Sequence, residues 1–153
     1  MLKQLRRRRI EESTVEKKVK GRKRHISTDI NGNLLFVKVH AANIHDTVAG
    51  CDVFDETYFW HPTIKGVCVD AGYRGTFKEY VESNYPGVTV DISERIKPEW
   101  EILPKRWRVE RSLSWLNNYR RLSKDYEIST NSEESQVYIA FSSVLLNRLF
   151  SCV

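Results

Sequence analysis

Apolar and polar positions along the chain change period several times, and each change predicts an element. Lys23 to Ile30 alternates and is rich in β-branched residues. It runs into Asn31-Gly32 and then into Leu34-Leu35-Phe36-Val37-Lys38-Val39-His40, which predicts an antiparallel hairpin. Asn43-Ile44-His45-Asp46 offers a cap for a short helix over 46–54. Val67-Cys68-Val69 reads as a strand buried on both faces that finishes on Asp70, with Gly72 turning the chain away. Thr76 and Glu79 stand at capping-box spacing for a helix to about Ser83, and Pro86-Gly87 leads into a further strand over 88–92. From Pro104 the period is helical and long. Val109, Leu113 and Leu116 make one stripe, while Trp115, Tyr119 and Leu122 make a second about 120° round the axis. Arg106, Glu110, Ser114, Asn117 and Arg121 form a polar line on the same helix. A last helix is expected to open at Thr130 or Ser132, with Glu133 completing a capping box, and its apolar content from Val137 to Leu149 suits a core helix. The expected order is strand, strand, helix, strand, helix, strand, helix, helix, which is an α/β class.

Residues 1–16 fit this pattern least, being Arg- and Glu-rich with few apolar anchors, and read as a basic arm, disordered or helical. The remaining length, within a chain of 153 residues, fits one domain with its own core. The net charge is +5, and its excess is clustered: residues 3–25 hold eleven Lys or Arg and residues 105–124 hold seven. Clustered basic charge suits a polyphosphate partner, although a charge run is ordinarily a solvated face. Lys17, Lys18, Lys20, Arg22, Lys23 and Arg24, with Arg120, Arg121 and Lys124, are the candidates for contacting phosphate, and Arg74 is a further one beside Asp70. Cys51, Cys68 and Cys152 form no CxxC pair, so a disulfide framework or zinc knuckle is not expected and a cytoplasmic setting is. His40 and His45 read as a strand end and a helix start. No apolar run reaches the roughly 18 residues of a membrane span.

Chemistry is suggested by two carboxylates. Asp70 ends an inner strand, where open α/β sheets place their ligands, and Glu110 lies on the long helix. Two acids at one sheet edge could hold Mg²⁺, with water and phosphate completing its shell. A turn aspartate and a helix ion pair between Glu110 and Arg106 would give the same pattern. Trp107, off both apolar stripes, could stack on a displaced base, whereas Trp115 belongs to the core.

Several linked segments together resemble a known family. These are 17–26 (KKVKGRKRHI), 41–46 (AANIHD), 70–75 (DAGYRG), 103–111 (LPKRWRVER), 115–117 (WLN) and 120–127 (RRLSKDYE). In this order they resemble the catalytic core of DDE transposases from bacterial insertion sequences, of the insertion-sequence-four and -five group. The resemblance covers 17–153 and implies an RNase H-like mixed sheet flanked by helices, present in part. It implies that Asp70 and Glu110 are the second and third metal-binding acids, with Mg²⁺ or Mn²⁺ as cofactor. Arg106 takes the arginine place of the tyrosine-arginine-glutamate-lysine signature; Leu103 and Asn117 stand where tyrosine and lysine would. DNA, as transposon ends and target, is the implied partner, and a homodimer is left open. The family's first aspartate ends a strand upstream of the basic segment, and no apolar strand ending in Asp is found before Lys17. A first strand missing or altered, and a truncated chain inactive alone, are therefore expected. A basic DNA-binding module without chemistry and another RNase H-like nuclease are the competing readings.

Overall fold

In the computed structural model, residues 2–5, 21–93 and 104–150 are described, with side chains over 21–93 and 107–150. The elements are β1 (Leu2–Leu5), β2 (Arg22–Thr28), β3 (Leu34–Ala41), α1 (Asp46–Trp60), β4 (Gly66–Asp70), α2 (Thr76–Asn84), β5 (Thr89–Ser93), α3 (Pro104–Asn117), α4 (Arg120–Ser123) and α5 (Thr130–Phe150). A 3₁₀ turn over Ala71–Tyr73 follows β4 directly.

The strands make one five-stranded sheet in the order β3-β2-β1-β4-β5. β2 is antiparallel to β1 and β3, while β4 runs parallel to β1 and β5. Leu2 pairs with Ser27 on one side and with Val69 on the other, which fixes the register of β4 against the hairpin. β1 corrects the expectation of an unstructured or helical start: Leu2–Leu5 is a strand between two others. Four residues flanked by charge carry too little alternation to announce a strand, and pairing on both sides supplies what local pattern does not. The rest of the arm, 6–16, lies outside the described residues.

Each face of the sheet has its own core, as a mixed sheet covered by helices on both sides requires. On one face Val53 and Phe54 of α1, Phe77 and Val81 of α2, and Val67 and Val69 of β4 pack together with Tyr73. On the other, Ile26 and Val37 meet Val109, Leu113 and Leu116 of α3, Leu122 of α4, and Val137, Ala140 and Phe141 of α5. The first stripe expected on α3 is therefore buried, and Trp115 and Tyr119 of the second pack against the same core.

Three local expectations change. The long helix ends at Asn117, and Arg121 belongs to the separate turn α4, so the polar line does not continue on one axis. α2 is capped by Gly75, at φ 83°, without a side-chain bond, so Thr76 is its first helical residue rather than its cap. α5 is started by the Ser129 hydroxyl, which accepts from Ser132 N at 3.1 Å, and Glu133 turns inward instead of back to a cap. The hairpin is borne out, with Asp29 accepting from Asn31 N and Asn33 N at 2.7 and 2.8 Å to shape its loop. His40 lies in β3 and His45 caps α1, as expected.

β3 is an edge strand, and α5 covers its outer side. Val39 N donates to the Glu134 carboxylate at 2.7 Å, and Val37 N donates to the Tyr138 hydroxyl at 3.3 Å.

Candidate functional site

Asp70 is the last residue of β4, an inner strand, and is half-buried. Its Oδ1 accepts the Ala71 N–H at 2.7 Å, so the carboxylate caps the 3₁₀ turn that follows. Arg74 closes that turn through its backbone, with its N–H donated to Ala71 O at 3.2 Å, and its side chain is exposed.

Glu110 is exposed on α3, and its neighbours show where that turn of helix is held. Arg111 Nη2 donates to Asn31 O and Ser112 Oγ donates to Gly32 O, both at 2.6 Å. Arg108 lines a cavity with Thr28, Asp29, Gly66 and Val67. These contacts tie the helix around Glu110 to the hairpin loop and the amino end of β4. Asp70 stands at the opposite end of β4, four residue steps or about 13 Å along the strand. Among the described residues no group of three or more His, Cys, Asp or Glu is placed to hold a metal ion. β1, which lies beside β4, reads Leu-Lys-Gln-Leu and brings no carboxylate. The described donor set does not fit a two-ion centre, whose charges need several carboxylates to offset their repulsion.

The basic residues divide into two kinds. Lys23 and Arg24 are buried, each 8% exposed. Lys23 Nζ donates to Asp46 Oδ1 at 2.7 Å and to Ile44 O at 3.0 Å. Arg24 Nη1 donates to Leu122 O at 2.8 Å and its Nε donates to Glu133, itself 3% exposed. Arg22 Nη2 donates to Ile128 O at 2.6 Å, and its Nη1 lies 3.6 Å from Asp125 and 3.7 Å from Glu133. The strand-borne part of the expected phosphate-binding run thus points into the protein and anchors α1, α4 and α5. Its arginines look solvated in a linear reading because their partner Glu133 is more than a hundred residues away. Lys20 and the side chain of Arg106 lie outside the described residues. Arg120 and Arg121 are exposed on α4 and line a groove with Tyr126, Glu127 and Ile128; Arg121 Nη1 lies 3.5 Å from Glu127. Trp107 is half-exposed and carries the Arg111 guanidinium 4.5 Å over its ring.

Beside Asp70 lies a polar group that linear reading missed. His25, fully buried on β2, has Nδ1 2.5 Å from His40 Nε2 and Nε2 2.8 Å from the Tyr73 hydroxyl. Burial first, then the electrostatic influence of the adjacent His40 ring, lowers the His25 pKa from 6.5 to about 4. Burial, then Asp46 and Asp70, pushes the Tyr73 phenol well above its ordinary range. Only the place of Tyr73 three residues after Asp70 could have hinted at this.

The fold and the acid at its strand end define the class as an α/β domain with a mixed sheet covered on both faces. The Transposase DDE domain family matches residues 6–146, and the chain belongs to that family. Membership connects the chain with transposition and with DNA as partner, and the family generally uses divalent metal ions. No curated protein and no solved structure matches the chain. Among the described residues no helix is long and apolar enough to cross a membrane.

Proposed function

We propose that this chain is the RNase H-like core of an insertion-sequence transposase of the four and five group, acting on transposon ends and target DNA. Supporting the RNase H-like reading are the strand order β3-β2-β1-β4-β5 and the single antiparallel strand β2 among β1, β4 and β5. The observation that carries the functional reading is Asp70, a carboxylate at the end of inner strand β4, in a chain matched by the transposase family. Asp70 is the acid of the metal-binding set that the strand end presents, and Mg²⁺ or Mn²⁺ is the ion the family would bring to it; Glu110, on a turn of α3 tied to the hairpin loop at the other end of β4, does not join it in this arrangement. β1 occupies the sheet position next to Asp70 with Leu-Lys-Gln-Leu, so the first acid is not supplied there. The chain alone therefore binds DNA through Arg74, Arg120 and Arg121 and cleaves it poorly.

The test is a strand-cleavage and binding assay on terminal inverted-repeat DNA with Mg²⁺ and with Mn²⁺. Salt-dependent binding with cleavage at background is the expected result. Robust cutting would overturn the claim of poor cleavage, and absence of binding at low salt would remove the DNA role altogether.

A further inference from the structure

We propose that Tyr73, His25 and His40 form a side-chain strap that positions the turn carrying Asp70, with Tyr73 as the positioning residue. The proposal rests on the reading of Asp70 as the strand-end acid of the site. Its geometry stands on a packed ring and three hydrogen bonds in series. Tyr73 ends the 3₁₀ turn that Asp70 begins, and its ring is buried against Phe77 at 5.6 Å between centroids. Gly50 of α1 lies so close that a Cβ there would sit 2.6 Å from Tyr73 Cε1. The hydroxyl meets His25 Nε2 at 2.8 Å, His25 Nδ1 meets His40 Nε2 at 2.5 Å, and His40 Nδ1 meets Ala41 O at 2.9 Å.

The order of donors follows from the last contact. A carbonyl can only accept, so His40 donates from Nδ1, and its Nε2 in the neutral ring is an acceptor. His25 then donates from Nδ1, and its Nε2 accepts the Tyr73 hydroxyl proton. Every link has one donor and one acceptor with both rings neutral. Lys23 on β2, Asp46 on α1 and Asp70 are the charged groups around this chain. Burial and the neighbouring His40 keep His25 uncharged down to about pH 4.

The strap crosses the sheet. It leaves the carboxyl end of β4, passes β1, engages His25 on β2 and finishes on the last residue of β3. Asp70 is thereby tied to the β2–β3 hairpin by side chains, whatever residues β1 contributes between them. Hydrogen bonds of known direction on a packed ring fix orientation as well as distance, which a functional carboxylate requires.

The test uses the full chain without DNA or metal, so it can fail separately from the proposed function. Amide exchange at Ala71, whose N–H is held by Asp70, reports the turn directly. In Tyr73→Phe, which keeps the ring, exchange at Ala71 should rise at least about tenfold while Ile26 in β2 stays within about twofold. Nitrogen spectra of the unaltered chain at pH 7 should show both His25 and His40 protonated on Nδ1 alone. Unchanged exchange at Ala71, or an equal rise at Ile26, overturns the positioning role. If the variant does not fold, the histidine spectra decide, and protonation of either ring on Nε2 overturns the strap.

Discussion

Replacing Glu133 separates an architectural role for the basic strand from a DNA-contacting one. Its carboxylate is 3% exposed, takes the Nε–H of Arg24 and lies 3.7 Å from Arg22 Nη1. Arg24 is buried too, and its bond from Nη1 to Leu122 O carries no counter-charge. Removing one partner of a buried ion pair costs roughly 3–5 kcal/mol, because the other charge stays desolvated. Glu133→Ala should therefore lose about that much, while Glu133→Gln, which keeps an acceptor for Arg24, should lose about 2–3 kcal/mol. Against the roughly 5–15 kcal/mol of an ordinary domain this is a large share. Replacing both Arg24 and Glu133 by methionine should return most of the loss, since an apolar pair of similar volume avoids desolvation. Urea denaturation at pH 7, read by tryptophan fluorescence, measures all four chains. If Glu133→Ala lies within about 0.5 kcal/mol of the parent, Arg24 is not held by this pair. The buried pair would then not be what withholds Arg24 from phosphate.

Further outcomes follow from other sites. Gly50→Ala gains about 1 kcal/mol of helix propensity but drives a methyl into the buried Tyr73 ring, so a net loss of about 1–2 kcal/mol is expected in the same denaturation assay. Arg120→Gln with Arg121→Gln should lower the slope of log affinity against log salt by about 2, and Lys23→Gln should leave it unchanged. Stability should also fall with acid. Because the folded His25 pKa lies near 4 and the unfolded one near 6.5, the unfolded chain takes the proton first as pH drops. The stabilisation is whole above about pH 6.5 and is lost down to about pH 4, by roughly 3 kcal/mol, and His25→Gln should flatten that stretch of the curve.

Strong local patterns predicted much of this fold. The hairpin needed only Asn31-Gly32 between two alternating runs, and β4 needed only its valines and the acid behind them. The stripes of α3 marked Val109, Leu113 and Leu116 as core because periodicity is a property of neighbouring residues. What failed depended on distant partners. Leu2–Leu5 is a strand because β2 and β4 flank it, and Arg24 is interior because Glu133 lies across the face. The break after Asn117 carries no proline or glycine to announce it. The site was partly readable for the same reason. Asp70 announces itself at a strand end, whereas the placement of Glu110 depends on how Arg111 and Ser112 dock on the hairpin loop.

The way α5 lies along β3 limits how two copies of this chain could meet. With the amides of Val37 and Val39 already donated to Tyr138 and Glu134, those two ladder positions are closed to an incoming strand. A homodimer built by extending the sheet past β3 would have to peel the helix away first, so sheet extension without unfolding is confined to the opposite edge, β5.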